Sequence, residues 1–107
     1  MKYITPANFE GEVINSSVPV LVQFYSETCN LSRLMASSLA DIASHTRGTL
    51  KLVRIEAEPA THLIELFNVT AIPSCLLFRS GQCLARLRGV RTRQEVLTWL
   101  ADALPSA

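Results

Sequence analysis

Residues 20–32 read VLVQFYSETCNLS, and this stretch decides which fold the chain adopts. Its first six residues are rich in β-branched and aromatic side chains and apolar on both faces, which predicts a central strand buried on both sides. The remainder leads into a helical pattern that continues to about Thr46. Cys29 lies at the junction between strand and helix. Ligand chemistry in sheets with parallel strands is found at this end of a strand, so Cys29 is the first candidate functional residue.

The chain on either side of this stretch alternates between helical and strand patterns. Thr5 and Pro6 are residue types that begin a helix, as N-cap and first-turn residue. A strand is predicted over Leu50–Glu56, and a short helix begins at Pro59. The apolar positions expected to face the core are Leu31, Leu34, Met35, Leu39, Ile42 and Ala43 in the long helix, and Leu63, Ile64, Leu66 and Phe67 in the short one.

The C-terminal third has the pattern of a hairpin followed by a helix. Residues 74–78 form another buried strand, and Ser80–Gly81 is suited to a two-residue hairpin turn. Thr92–Glu95 is a capping box, which predicts the start of a last amphipathic helix. The positions expected to face inward in the strand after the turn are Cys83, Ala85 and Leu87.

The resulting order, β-α-β-α-β-α-β-β-α, predicts an α/β fold with a mixed central sheet flanked by helices on both faces. The composition is that of an ordinary globular protein, with 107 residues, 49% apolar and 18% charged. No apolar run approaches the ~20 residues that span a bilayer. The first residues lack the apolar segment of a signal peptide. We therefore expect one domain over residues 1–107, a cytoplasmic location and no membrane partner.

The distribution of cysteines and arginines limits the candidate functions further. The cysteine count of three is odd and shows no zinc-site spacing, so we expect a free thiol and no metal or cofactor. Nucleic acid is not an expected partner, because the net charge is only +1 and few aromatic residues accompany the basic ones. Between residues 66 and 94 there are five arginines and no acid, which indicates a solvated edge or a basic rim that steers an acidic partner. These arginines are Arg79, Arg86, Arg88, Arg91 and Arg93.

Several spaced motifs resemble the thioredoxin family over essentially the whole chain. Residues 20–29 are similar to the family's strand and active-site entry, and residues 71–74 (AIPS) to its cis-proline loop. Residues 78–82 (FRSGQ) resemble its final hairpin, and residues 88–90 (RGV) its glycine loop. The resemblance implies the thioredoxin fold and thiol–disulfide chemistry at Cys29.

The chain departs from the family at the centre of the active site. Thioredoxins carry Cys-Gly-Pro-Cys, whereas residues 29–32 here are Cys-Asn-Leu-Ser, so Ser32 replaces the resolving cysteine. Gln23 occupies the position of the family's buried aspartate, which accepts a proton from that cysteine. Arg54 occupies the position of a buried lysine, and we expect it to pair with Glu56 or Glu58 or to reach solvent.

A single thiol at a helix N-terminus favours monothiol chemistry. The thiolate is the reactive form, and the helix N-terminus stabilises negative charge, to which Arg33 adds if its side chain turns back. Cys29 then forms a mixed disulfide with a protein substrate. Because Ser32 has no thiol, release requires an external thiol such as glutathione, a second substrate thiol or another cysteine of this chain. Disulfide exchange and isomerisation are therefore favoured over dithiol reduction.

The resemblance also implies which residues contact a substrate. If the bond before Pro73 is cis, the backbone of residues 71–72 is free to pair with an extended substrate segment. Cys75 is expected to point inward near Gln23 and Ser32, either as a small buried hydrophobe or as a displaced resolving thiol. The residues assigned to substrate binding are Thr28, Asn30, Leu31, Ile72, Pro73 and Gly89.

Alternative functions remain open at this stage. The family's aspartate and second cysteine are both absent here, replaced by Gln23 and Ser32. This paired loss also suits a redox-inactive peptide-binding or chaperone-like module. An iron–sulfur-bridged dimer held by Cys29 is a further possibility without specific support. Ser32 can also be a substitution made to trap partners, although the change at Gln23 argues against it. We expect a monomer that acts on protein thiols and disulfides.

Overall fold

Five strands within residues 1–104, the part of the chain that the computed structural model describes, form one mixed sheet. They are β1 (Lys2–Ile4), β2 (Val20–Tyr25), β3 (Lys51–Glu56), β4 (Ser74–Arg79) and β5 (Gln82–Arg88). The helices are α1 (Asn30–His45), α2 (Thr61–Leu66) and α3 (Arg93–Ala103). In the order β1-β3-β2-β4-β5, the first three strands are parallel, and β4 is antiparallel to both β2 and β5. The predicted central strand is confirmed, since all six residues of β2 are buried.

The sheet separates two hydrophobic cores because successive residues of β2 point to opposite faces. Val22 and Phe24 face one core, which α2 and the N-terminal turns cover. Leu21 faces the other core, which α1 and α3 cover. The predicted α/β architecture with helices on both faces is confirmed. A single domain over residues 1–107 stays a prediction. No helix within residues 1–104 has the length and apolar character needed to cross a membrane.

The N-terminal helical pattern forms two irregular turns instead of a regular α-helix. Pro6–Asn8 is a 3₁₀ turn, and Glu10–Ile14 is a π-helical turn closed by a hydrogen bond from Asn15 N–H to the Glu10 carbonyl oxygen (3.0 Å). Phe9 and Val13, four residues apart, are the buried positions of this segment. In a segment this short, tertiary packing decides the helix type, because intrinsic propensity is too weak to do so.

Three leucines expected in the core lie on the surface instead. In α1 the buried stripe is Ser32, Met35, Leu39 and Ile42, with helical spacings of three and four. Leu31 and Leu34 each precede a stripe residue by one position, which turns them about 100° away from it. They are 49% and 62% exposed, and Leu66 of α2 is 63% exposed. Ser32 takes an inward position in the first turn of α1. Because Ser32 is polar, the sequence pattern assigned Leu31 and Leu34 to the buried stripe instead.

The predicted hairpin is confirmed, but its second strand contains an irregularity. Ser80 and Gly81 both have positive φ, as a type I′ turn requires. In the ladder of β4 with β5, Leu77 pairs with Ala85 but Phe78 pairs with Cys83, so Leu84 is an extra residue. Such a bulge reverses the alternation of side chains. Cys83 therefore packs with the Phe78 core, and Ala85 and Leu87 with the opposite core. The prediction that all three point inward is confirmed, since each is half-buried against a core, but the bulge puts Cys83 on the opposite side of the sheet from Ala85 and Leu87.

Candidate active site

Cys29 lies at the N-cap of α1, immediately beyond the carboxyl end of β2. Its backbone is extended, with φ −99° and ψ 114°. A tight turn positions it: Cys29 N–H donates to the Ser26 carbonyl oxygen (3.1 Å), and Ser32 N–H donates to the Cys29 carbonyl oxygen (3.1 Å). The thiol is half-buried. The sulfur is thus partly open to solvent at the end of the sheet where sequence analysis expected a site.

Hydrogen-bond donors of the first helical turn lower the pKa of the Cys29 thiol. The largest contribution comes from the Ser32 backbone N–H, followed by the Ser32 hydroxyl. Burial opposes them, and the Leu31 N–H adds the smallest lowering effect. These donors stabilise the thiolate, which is the nucleophilic form. Arg33 is not among the groups that lower this pKa, and its guanidinium donates to the Glu27 carbonyl oxygen (3.2 Å).

Ser32 is fully buried and tied to the end of β2 from two sides. Its hydroxyl accepts a hydrogen bond from Ser26 N–H (3.2 Å), and its carbonyl oxygen accepts one from Gln23 Nε2 (3.3 Å). A residue in the position of the family's second cysteine therefore serves to hold the helix start against the strand. Its hydroxyl cannot take part in disulfide exchange.

The buried polar partner of Gln23 is Arg54. Arg54 Nε donates to Gln23 Oε1 (2.6 Å), and Arg54 Nη1 donates to the Tyr3 hydroxyl (2.7 Å). The guanidinium also lies 4.0 Å from the centre of the Tyr25 ring. Only 7% of Arg54 is exposed. The prediction that Arg54 pairs with Glu56 or reaches solvent was wrong, because Gln23 and two tyrosines hold it instead; the same holds for the suggested partner Glu58.

We call the linked residues Ser32, Gln23, Arg54 and Tyr3 the polar chain. Its hydrogen bonds run in one direction, with Gln23 donating to Ser32 and accepting from Arg54. None of its members is a carboxylic acid, so the polar chain lacks the proton acceptor that the family's buried aspartate would supply. Sequence analysis missed Tyr3 and Tyr25, because only the pairing of β1 with β3 brings Tyr3 beside Arg54.

Cys75 lies beside the polar chain but belongs to the hydrophobic core beneath α1 and α3. It pairs with Gln23 across β2 and β4, as expected, and it is fully buried in the core beneath α1 and α3. Burial raises the pKa of the Cys75 thiol to about 12. A thiol with this pKa is protonated at neutral pH, which favours the small buried hydrophobe over the displaced resolving thiol.

The loop before β4 and the loop after β5 meet at the same end of the sheet. The Ile72–Pro73 peptide bond is cis, and Gly89 N–H donates to the Pro73 carbonyl oxygen (2.8 Å). Within residues 1–104, Ile72 has no hydrogen bond on its backbone N–H or C=O, and its side chain is half-buried. Arg91 N–H contacts Met35 Sδ (3.4 Å), which ties the second loop to α1.

The structure therefore brings the predicted substrate residues together in part. Gly89 contacts Pro73 directly, and Thr28 and Asn30 are exposed on either side of Cys29. Leu31 is also exposed there, so it is available to a substrate and not to the core. Among the residues described, no three His, Cys, Asp or Glu side chains are grouped as a metal site requires.

Comparison with known proteins identifies the family. The family model described as Thioredoxin matches residues 1–102. The chain belongs to the thioredoxin family. The thioredoxin of Mycolicibacterium smegmatis is 33% identical over 105 residues, covering 94% of this chain and 92% of that protein. A thioredoxin-like protein of Synechocystis is 30% identical over 94 residues, covering 88% of this chain and 90% of that protein.

A further relative is much longer than this chain. The bifunctional thioredoxin reductase/thioredoxin of Mycobacterium leprae is 31% identical over 103 residues, which cover 96% of this chain but only 22% of that protein. The thioredoxin-family assignment, and with it the thioredoxin fold, thus accounts for nearly all of the described residues. The departures at Ser32 and Gln23 lie within the matched region.

Proposed function

We propose that this thioredoxin-family chain is a monothiol thiol–disulfide oxidoreductase whose nucleophile is Cys29. The Cys29 thiolate attacks one sulfur of a client disulfide. A new S–S bond then joins Cys29 to the client, and the other client sulfur leaves as a thiolate that takes a proton from solvent. The observation that carries this proposal is the half-buried Cys29 at the N-cap of α1, whose pKa the Ser32 and Leu31 donors lower.

Release of the client needs a thiol from outside this site. Ser32 cannot supply one, and the buried Cys75 is protonated at neutral pH. A second client thiol or glutathione attacks the mixed disulfide, which frees Cys29 or passes it on as a glutathione adduct. These steps amount to isomerisation or deglutathionylation, with weak dithiol reduction. They suit a reducing compartment such as the cytoplasm, where an accessible thiol stays reduced.

The client is a protein segment that passes between the two loops. The free backbone N–H and C=O of Ile72 can pair with an extended segment, as an added strand does. Pro73 and Gly89 then form the floor beside Cys29. Thr28, Asn30 and Leu31 contact the segment from the helix side. The chain acts as a monomer in this scheme, since one copy holds every residue that it uses.

A second candidate is a binding module that retains clients without turnover. The specific observation in its favour is the exposed pair Leu31 and Leu34 in the first turns of α1, 49% and 62% exposed. Apolar surface of this kind next to a backbone groove binds unfolded segments without thiol chemistry. The two candidates differ in whether Cys29 forms a covalent bond.

A titration of Cys29 separates them. The alkylation rate of Cys29, followed against pH by mass spectrometry, is expected to report a pKa below the ~8.5 of an ordinary thiol. Oxidised glutathione is expected to form a mixed disulfide at this residue alone. A pKa at or above the ordinary value, together with no glutathione adduct, contradicts the oxidoreductase and leaves the binding module.

Reduction of insulin tests the role assigned to Ser32. With dithiothreitol as electron donor, the Ser32→Cys variant is expected to reduce insulin about tenfold faster than the wild type, because it regains an internal resolving thiol. Ser32→Ala is the matched control and is expected to give no gain. Equal rates for the wild type and Ser32→Cys would show that Ser32 does not limit dithiol reduction.

A further inference from the structure

Three arginines line a cavity at the open edge of the sheet. It lies next to the two loops that are proposed to hold the client, Ile72–Pro73 and Gly89, which we call the client groove. The cavity has a volume of about 500 Å³. We call it the arginine pocket. Apart from Leu87, every residue that lines it is polar or charged, and no acid is among them. The lining residues are Asn68, Thr70, Arg86, Leu87, Arg88 and Arg91.

The chain itself holds these guanidinium groups in place. Arg86 Nη1 donates to the carbonyl oxygens of Phe67 (2.7 Å) and Asn68 (3.1 Å). Arg88 Nη1 donates to the Thr70 hydroxyl (3.0 Å). The Arg86 guanidinium also lies beside the Cys83 thiol. In the part of the chain described, no hydrogen bond of ordinary geometry uses Nη2 or Nε of either arginine, which leaves donors free on each. A guanidinium that is already positioned loses less side-chain entropy when it binds an anion.

The positive charge of the pocket is largely uncompensated. The carboxylate nearest to it is Glu95, 3.9 Å from Arg91 Nη1 and 53% exposed. That carboxylate also accepts a hydrogen bond from Thr92 N–H (2.9 Å), as part of the cap of α3. The two arginines of β5 have no acid within salt-bridge distance among residues 1–104. The pocket therefore attracts carboxylates more strongly than a mixed surface does.

The arginine pocket is adjacent to the client groove in the sheet and along the chain. Arg88 pairs with Ser74 across β4 and β5, which puts it one residue from Pro73. Gly89, which contacts Pro73, lies between Arg88 and Arg91 in the chain. A segment that pairs with Ile72 and is joined to Cys29 therefore reaches the pocket with the residues that flank its own cysteine.

We propose that the arginine pocket selects clients whose reactive cysteine is flanked by an acidic segment. This inference rests on the proposed function, since it names the substrate class of the same groove. Carboxylates of Asp or Glu bind the free Nη2 and Nε donors of Arg86 and Arg88, and the field of the three arginines accelerates encounter. A nucleic acid is disfavoured, because no aromatic side chain lines the pocket for bases to stack on.

Two peptides that differ only in charge test the proposal. Each carries one cysteine activated as a disulfide with 5-thio-2-nitrobenzoate, flanked by Asp and Glu in one peptide and by Asn and Gln in the other. Release of the coloured thiolate gives the rate of attack by Cys29. The acidic peptide is expected to react about fivefold faster at low salt, with the difference fading at high salt because screening removes it. Equal rates overturn the proposal.

Charge-matched variants locate the effect. Arg86→Gln with Arg88→Gln is expected to bring the ratio of the two rates close to one. Arg79→Gln with Arg47→Gln removes the same charge away from the pocket and is expected to keep most of the ratio. Both doubles should react with 4,4′-dithiodipyridine, a small neutral disulfide, at the wild-type rate and at one thiol only, which shows that the intrinsic reactivity of Cys29 is unchanged. If both doubles lose the ratio equally, the preference comes from net charge and the pocket is not its source.

Binding without chemistry separates this inference from the proposed function. Cys29→Ser and its Arg86→Gln/Arg88→Gln derivative are titrated against a fluorescent acidic peptide that carries no activated disulfide. Weaker binding to the derivative supports the pocket even if Cys29 proves unreactive toward dithiodipyridine, which contradicts the proposed function alone. Equal binding to both, or tighter binding of single-stranded oligothymidylate than of the acidic peptide, overturns the pocket's assignment.

Discussion

One row of residues crosses the sheet beneath α1, and its two halves differ in character. Strand pairing aligns Tyr3, Arg54, Gln23, Cys75 and Leu87 in that order. From β1 to β2 the row is polar, and hydrogen bonds link its members. From β4 to β5 it is apolar and belongs to the core beneath α1 and α3. Gln23 is the boundary between the halves.

Neither half of the row places a carboxylate or an accessible thiol in the interior beneath α1. The polar half holds one guanidinium, that of Arg54, and no carboxylate. The apolar half contains Cys75, whose pKa burial raises to about 12. Neither half offers a base or a second nucleophile to Cys29. Gln23 thus occupies the position of the family's buried aspartate but lacks its chemistry. Experiments on each half of the row test this difference.

The largest expected effect is the contrast in reactivity between Cys29 and Cys75. At pH 8 in the folded protein, iodoacetamide is expected to modify Cys29 at least about a thousandfold faster, because Cys75 is inaccessible and on the order of 1 in 10,000 of its thiols is ionised. Peptide mass spectrometry after short exposure measures both rates.

The pH dependence of stability follows from the same group. The folded-state pKa of Cys75 is raised, so its contribution to stability is present below the ordinary thiol pKa and is lost as pH rises toward about 12.

The alkylation experiment has an unfolded control, since in urea all three cysteines should react alike with iodoacetamide. Equal modification of Cys29 and Cys75 in the folded state would mean that the apolar half opens readily.

The next effect is the cost of breaking the polar half at Gln23. Gln23→Leu leaves Arg54 Nε buried without its partner and removes the Gln23 hydrogen bond to the Ser32 carbonyl oxygen, and is expected to lower the free energy of unfolding by about 3 kcal/mol. Urea unfolding measures this loss. The control in the apolar half, Cys75→Ala, is expected to cost about 1.5 kcal/mol.

A double-mutant cycle shows whether the linkage itself is responsible. In an Arg54→Met background the same Gln23→Leu change is expected to cost at least about 1 kcal/mol less, because no buried charge is left unpaired. Identical costs in both backgrounds would mean that Gln23 and Arg54 do not depend on each other.

The smallest effect is expected at the outer end of the polar half. Tyr3→Phe removes the hydroxyl that accepts from Arg54 Nη1 but keeps the ring, and water can reach this exposed position, so the loss is about 0.5–1 kcal/mol. Tyr25→Phe is the matched control with an expected change near zero, since its ring contacts Arg54 but its hydroxyl has no hydrogen bond to residues 1–104. A larger loss for Tyr25→Phe than for Tyr3→Phe would reverse this assignment, and urea unfolding decides it.

Local patterns were sufficient to predict most of the fold. The apolar run of β2, the turn at Ser80–Gly81 and the capping box at Thr92–Glu95 each depend on residues close together in the chain, and each was found as predicted. The errors arose where packing overrides pattern. Ser32 occupies an inward position of α1, and the bulge at Leu84 reverses the face of Cys83.

The candidate site divides in the same way. Position along the chain identified Cys29 at a strand-to-helix junction, and the resemblance to the thioredoxin family identified the coupled departures at Ser32 and Gln23. The contact between Arg54 and Tyr3 could not be predicted from the sequence. Tyr3 lies 51 residues away, and the two side chains meet only through the register of β1 with β3.

The sequence by itself determined the family, the order of the strands and of the three regular helices, and the place of Cys29 at a strand-to-helix junction, because each of these depends on short-range spacing and residue type. Only the tertiary structure decided that Arg54 binds Gln23, that Cys75 is sealed, and that the arginines of β5 converge on one pocket. Such contacts depend on which strands become neighbours and in what register, and that choice is made by the packing of the whole chain.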